Sequence, residues 1–310
     1  MTYSKRLYRF IQNILQYLFK PEFEPETWET VDTLQTTQEA TVCIVQSFTT
    51  GNLSVRKRYG PHSLHVQNEI HSLRTISHTN IIKIENVIYN PDSIDIMLKK
   101  YDTDLFSYII RISDDPEVFF SGSAMKLRVD WMKGISEGLC YLHSKGIVHC
   151  DIKPENILID RSATLQDAST GAVLTDFGYA TSYTLPNKTI SGMMGSLQYA
   201  APELFVNKIN KGLPLDIFSL GATIWVSVYG LFPWNTDKNG VRSNMYDDTN
   251  YNPSSEFHLY TKRAITNFIK LLTLSDPDRR PDTRSVNKLL DKISKRYVAL
   301  EYTLQVVLEN

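Results

Sequence analysis

A chain of 310 residues with 42% hydrophobic and 22% charged side chains carries enough apolar material for a sizeable core, as two average domains or as one two-lobed enzyme. Its 33 basic residues nearly cancel 34 acidic ones and leave a net charge of −1, so bulk charge draws it neither to nucleic acid nor to acidic lipid. Cys43, Cys140 and Cys150 show no CxxC spacing and cannot close a disulfide framework, which excludes a disulfide miniprotein along with collagen-like, disordered and channel architectures.

In chain order, Tyr3, Leu7, Phe10, Ile11, Ile14, Leu15 and Leu18 follow helical spacing, with Lys5, Arg6, Arg9, Gln12, Asn13 and Gln16 on the other face. Residues 1–27 are therefore expected to be an amphipathic helical extension. It packs on its own domain or a partner, or else lies on a membrane surface. It makes a poor signal peptide, because three amides interrupt its apolar stripe and no cleavage site follows. No stretch approaches the roughly twenty apolar residues of a membrane span. The expectation is an intracellular chain of the cytoplasm or nucleus, not a secreted one.

Residues 21–55 contain acids and no base until Arg56. Alternation predicts strands over Thr41–Val45 and Leu53–Val55 around a Thr50-Gly51-Asn52 turn. A helix with Val66, Ile70 and Leu73 on one face follows, then strands over Ile81–Ile88 and Ile94–Leu98. Beyond residue 104 the pattern is helical, over Leu127–His143, Leu215–Tyr229, Ala264–Leu274 and from Asp282 onward. Residues 235–256 read as a polar loop. A strand-rich first third before a helix-rich remainder predicts an α+β, bilobal chain with a cleft between its lobes. The lobes divide as 28–103 and 104–310.

The chemistry-bearing stretch is His149-Cys150-Asp151-Ile152-Lys153-Pro154-Glu155-Asn156. Asp, Lys and Asn at offsets zero, two and five put a base, a cation and a metal ligand on one tight loop. Phosphoryl transfer needs that set: a carboxylate for the attacking hydroxyl, a positive charge for the moving phosphate and an oxygen donor for Mg²⁺. Twenty residues after Asn156 comes Asp176-Phe177-Gly178, a second carboxylate suited to the same metal, and Ala201-Pro202-Glu203 follows. Singly these motifs are weak; in this order they are strong.

With Val55-Arg56-Lys57, Glu69, Asp216 and Arg280, the set resembles the eukaryotic-type serine/threonine protein kinase family over about residues 28–300. The resemblance implies a small β-rich lobe with one main helix, a larger helical lobe, ATP and Mg²⁺ as cofactors, protein substrates and no nucleic acid. Carried over by position, Lys57 holds the α- and β-phosphates and pairs with Glu69. Asp151 is the base, Lys153 contacts the γ-phosphate, and Asn156 and Asp176 hold Mg²⁺. Val42 and Val55 match the adenine roof, Leu158 its floor, Leu98 the gatekeeper, Lys99-Lys100-Tyr101 the hinge and Asp104 a ribose contact. Glu203 and Arg280 are the expected buried ion pair, and Leu73, Ile84, His149 and Phe177 the stack between lobes. Lys153 and the Gly195–Tyr199 segment, with Ser196 near Asp151 and Lys153, point to serine and threonine acceptors. Leu98–Leu105 together with an eroded nucleotide loop resembles kinases of herpesvirus-like large DNA viruses, for which the cell would be a host's.

Three departures stand against the family pattern. Gln35, Thr37 and Ala40 occupy the glycine positions of the nucleotide loop, whose backbone N–H groups close over phosphates. One lost contact of about 1.5–3 kcal/mol weakens ATP binding roughly 10- to 100-fold. Cys150 replaces the Arg that usually receives an activation-loop phosphate, so activity independent of that phosphate is expected. Extra residues around Arg161–Gly171 suggest a surface hairpin. The alternative to an active enzyme is a pseudokinase scaffold with weak nucleotide binding. His62, His65, His71 and His78 lack a carboxylate or cysteine set and are expected to be solvated helix residues rather than metal ligands.

Overall fold

The computed structural model describes residues 27–161, 168–182, 196–205, 212–234 and 256–308. The amphipathic extension and most of the extra hairpin fall outside these residues, as does the polar loop up to residue 255.

The first lobe is a five-stranded antiparallel sheet, in the order β1-β2-β3-β5-β4, with one helix against it. Its strands are β1 (Trp28–Thr36), β2 (Ala40–Ser47), β3 (Leu53–Tyr59), β4 (Ile84–Tyr89) and β5 (Ile94–Lys99), and the helix is α1 (Leu64–Thr75). Strand β1 was not among the expected strands, for a physical reason. It is an edge strand almost fully exposed, so neither face carries the alternation that marks a half-buried strand. Two register shifts skip Val31 and Leu34, each 55% exposed, and bulges of this kind blunt an edge against pairing with another chain. The expected 50–52 turn joins β2 to β3, with Gly51 at φ 71. The strand expected from Ile81 begins only at Ile84. Ile81 instead bridges Leu174, and the N–H of Ile82 donates to the Leu174 carbonyl at 3.0 Å, tying the lobes together.

The second lobe begins with β6 (Thr103–Asp104), which pairs with β8 (Ile157–Ile159), itself paired to β9 (Ala172–Leu174). The expected lobe boundary after residue 103 thus falls inside a strand. Helix α2 (Leu105–Ser113) is capped by Asp104, whose carboxylate accepts from the Ser107 N–H at 2.8 Å. The short α3 (Pro116–Phe119) and long α4 (Gly122–Ser144) follow, then β7 (Ile147–Val148) and its partner β10 (Thr181–Ser182). Helix α5 (Leu213–Tyr229) is mostly apolar and buried on all sides from Leu215 to its end, as a helix through the centre of a core must be. It stops at Gly230, φ 68, where a Cβ would also lie 3.2 Å from Phe119. Helices α6 (Glu256–Leu272) and α7 (Thr283–Leu308) complete the lobe. No disulfide joins the three cysteines, and no helix among the described residues is long and apolar enough to cross a membrane.

Candidate active site

The cleft between the lobes gathers the charged residues that the motifs single out. Lys57, midway along β3, stands opposite Val42 on β2 and Ile96 on β5. Its ammonium lies 3.1 Å from one Glu69 oxygen and 2.8 Å from Asp176 Oδ1. Burial works against the charge on Lys57, but the Glu69 and Asp176 carboxylates outweigh it and raise the lysine well above its ordinary value. At Asp176 burial opposes ionisation too, yet the lysine holds the carboxyl below its usual range. The three charges are therefore one unit, with Glu69 wholly buried on α1.

Tyr59 completes it, its hydroxyl donating to Glu69 Oε2 at 2.5 Å. The motif reading passed over this residue, although a signal existed: Tyr59 lies two positions past Lys57, hence on the same face of β3.

On the other wall, Asp151 is oriented by three donors. Lys153 Nζ reaches its Oδ2 at 2.8 Å, the Asn156 amide reaches the same oxygen at 2.9 Å, and the Ser196 N–H reaches Oδ1 at 2.9 Å. Lys153 also donates to the Ser196 hydroxyl at 2.8 Å. The expected nearness of Ser196 to both residues is thus met, through its backbone in one case. Asn156 spends its amide hydrogens on Asp151, as the side-chain oxygen and the carbonyl at 2.8 Å. Its own side-chain oxygen is left for a cation, and hard oxygen donors of this kind suit Mg²⁺. Asp176, at φ 65, offers a carboxylate of the same type.

The loop that presents Asp151 is held from beneath by Asp216. Cys150 sits at φ 68, a conformation costly for a residue with a Cβ. The wholly buried Asp216 carboxylate accepts the N–H groups of His149 at 2.8 Å and Cys150 at 2.9 Å, and His143 Nε2 lies 2.9 Å from it. One ionised side chain thereby stabilises the strained backbone before the candidate base. The sequence marked Asp216 as a motif position without indicating this task, which appears only once the loop's dihedrals are known.

Other expected pairings are present. Glu203 and Arg280 form a two-pronged buried ion pair at 2.6 and 2.7 Å, and Arg280 also donates to the carbonyls of Leu274 and Pro214. His149 and Phe177 meet edge to face at 4.7 Å, and Leu73, Ile84 and Phe177 share one core cluster. On the adenine side, Val55 is registered opposite the buried Leu98, and Lys100 and Tyr101 follow β5. Val42 and Leu158 are half-buried on β2 and β8. Asp104 is already engaged as the cap of α2, both of its oxygens being used by Ser107.

The hairpin between β1 and β2 takes the place of the glycine-rich loop. Here Thr37 Oγ1 accepts the N–H groups of Glu39 at 3.2 Å and Ala40 at 3.1 Å, while the Thr37 N–H donates to the Ala40 carbonyl at 2.9 Å. Three amides of the turn are thus satisfied within the turn itself.

No metal-binding histidine cluster exists among the described residues. His65 and His78 are engaged rather than solvated. His78 stacks on Tyr141, and its ring nitrogen accepts from the Asn80 N–H; His65 packs against Tyr179.

Comparison with known proteins agrees with this geometry. A family model described as the protein kinase domain matches residues 41–290, and the chain belongs to that family. It is similar to three proteins of Saccharomyces cerevisiae. It is 29% identical over 229 residues to "Fatty acyl-CoA synthetase and RNA processing-associated kinase 1", covering 72% of this chain and 25% of that protein. With "Probable serine/threonine-protein kinase HSL1" it is 29% identical over 245 residues, 76% of this chain and 15% of that protein. With "Serine/threonine-protein kinase KIN4" it is 32% identical over 183 residues, 58% of this chain and 21% of that protein. The chain thus spans a quarter or less of each relative's length. These yeast relatives give the resemblance to viral kinases no support.

Proposed function

We propose that the chain is an active serine/threonine protein kinase, transferring the terminal phosphate of ATP to protein hydroxyls in a reducing, intracellular compartment. The observation that carries this reading is the Lys57–Glu69–Asp176 unit, which links the two lobes, together with the hydrogen-bonded set of Asp151, Lys153 and Asn156. A scaffold has no need of all six residues together, whereas phosphoryl transfer uses each of them.

Asp151 is the base that orients the acceptor hydroxyl and takes its proton, its carboxylate held in place by three donors. Lys153 neutralises charge on the phosphoryl group in flight, and Lys57 anchors the inner phosphates. Asn156 and Asp176 would hold Mg²⁺, which would offset the negative charge of the phosphates. Val42, Val55, Leu98, Lys100, Tyr101 and Leu158 would enclose the adenine. Asp104 reaches the ribose only by releasing Ser107. The Lys153–Ser196 hydrogen bond supports serine and threonine as acceptors, and the names of two of the relatives agree with it.

The test is transfer of label from [γ-³²P]ATP with Mg²⁺ to generic basic and acidic proteins, followed by identification of the labelled residue. Label on serine and threonine, lost in Asp151→Asn, is expected. An unlabelled substrate with wild-type protein would leave the scaffold reading.

A further inference from the structure

The three charges of the Lys57 unit come from three separate elements, so their spacing holds only while α1 stays in register with the segment that follows Asp176. The structure contains a brace for this. His65 and Asn68 lie one turn apart on α1, and His65 precedes Glu69 by four residues, which puts them on one stripe of the helix. Both reach a single atom, the Gly178 carbonyl oxygen: His65 Nδ1 at 3.3 Å and the Asn68 amide at 3.3 Å. Because the acceptor is a carbonyl, Nδ1 carries the imidazole proton. The ring of His65 also meets that of Tyr179 edge to face at 4.7 Å, and its Nε2 lies 4.0 Å from the Glu39 carboxylate at the tip of the β1–β2 hairpin.

Gly178 explains how the approach is possible. A Cβ there would lie 3.3 Å from the His65 Cβ and 3.4 Å from Nδ1, so a side chain would crowd His65, which would have to give by a few tenths of an ångström. The contacts close into a ring that runs from Gly178 through His65 and Asn68 to Glu69, then through Lys57 to Asp176 and back along Phe177. Each member limits the others, and the conformation of Asp176 at φ 65 is over-determined rather than left to relax.

We infer that His65 and Asn68 are positioning residues that fix α1 to the start of the activation segment, so that the Lys57–Glu69–Asp176 unit is assembled without any phosphate on that segment. The inference deepens the kinase reading and depends on it for its kinetic consequence, but not for its structural one.

The test uses the full chain and four variants. His65→Ala with Asn68→Ala removes both donors to Gly178. His65→Asn retains a donor at the place of Nδ1, Asn68→Asp removes the donor while keeping the shape, and Gly178→Ala crowds His65. The first readout is amide hydrogen exchange in residues 176–182, which needs no enzymatic activity. The second is kcat and the KM values for ATP and protein substrate, with the enzyme treated or untreated by phosphatase. Losing two neutral hydrogen bonds corresponds to about a tenfold fall in kcat or more. The double variant and Gly178→Ala are expected to show that fall, with faster exchange at 176–182 and KM for protein substrate within about twofold of wild type. Asn68→Asp should show a smaller fall in the same direction, and His65→Asn should recover most of the loss. Phosphatase should leave wild-type kcat unchanged. Exchange at 176–182 equal to wild type in the double variant would overturn the inference, as would an unchanged kcat or loss of wild-type activity on phosphatase treatment. If no variant and no wild-type preparation transfers phosphate, the kinase reading fails, while the exchange result still decides whether the brace exists.

Discussion

The two structures that would face the phosphates of a bound nucleotide are built on opposite principles. The catalytic loop, residues 149–156, is sunk in the core and saturated with hydrogen bonds from Lys153, Asn156, Ser196 and Asp216. The β1–β2 hairpin opposite it is an exposed turn without glycine, whose amides are closed on Thr37. The difference separates two contributions to catalysis. The loop supplies charge and orientation at the reacting atoms, which nothing else in the chain can replace. A hairpin supplies backbone contacts to phosphates, which set affinity and leave the chemical step intact. On the proposed reading, an eroded hairpin above an intact loop predicts a high KM for ATP.

The largest effects are expected in the loop and its partners. Asp151→Ala and Lys57→Met should each lower kcat by about 10²–10⁴-fold while circular dichroism shows the fold retained, with a lowered thermal midpoint for Lys57→Met because Glu69 is left buried without its cation. Comparable losses from Thr37 substitutions would erase the distinction between the two regions. Next comes the ion pair behind the substrate-facing segment. Glu203→Ala leaves Arg280 buried without its carboxylate and should destabilise the fold by about 3–5 kcal/mol, measured by urea unfolding. A change below about 1 kcal/mol would mean that the carbonyls of Leu274 and Pro214 suffice for the guanidinium.

The hairpin should respond in the opposite direction. Thr37→Gly frees the amides of Glu39 and Ala40 for phosphate and should lower KM for ATP about two- to tenfold, one net hydrogen bond's worth, with kcat unchanged. An unaltered or raised KM would show that the turn's closure is not what limits affinity.

The smallest effect is one of pH. Lys57 titrates above its ordinary value of 10.5, so its contribution to stability is full below that value and is lost as pH rises through the folded-state value. Asp176 titrates below its ordinary 3.8, so its contribution is full above that value and is lost as pH falls through the folded-state value. Between about pH 5 and 9 the unit should leave the thermal midpoint flat, and Lys57→Met should flatten the losses outside that window. A wild-type step inside the window, absent from Lys57→Met, would place the titration elsewhere.

Much of this was legible in the sequence, and the exceptions have physical causes. The strand β2 and the amphipathic helices announce themselves because one face is buried and repeats with the element's period, whereas β5 and α5, buried on every side, are marked by their apolar runs. Strand β1 carries neither mark, being exposed on both faces and twice bulged. Helix α2 was only implied by a general helical pattern beyond residue 104, although its mark, Asp104 three residues before Ser107, was present as a cap. Asp151, Lys153, Asn156 and Asp176 could be singled out because phosphoryl transfer demands those groups at those spacings. Asp216 and Tyr59 serve the same site through the backbone and through Glu69, and His65 and Asn68 do so through a carbonyl. Contacts of that kind depend on where distant segments meet, which no local spacing encodes.

The most direct test of the account is the dependence of phosphate transfer on ATP concentration with Mg²⁺ in excess, following label into protein serine and threonine. The account predicts a curve that saturates at an ordinary turnover rate but only at high ATP, and that vanishes in Asp151→Asn. No transfer at any ATP concentration, with the fold intact, would contradict it.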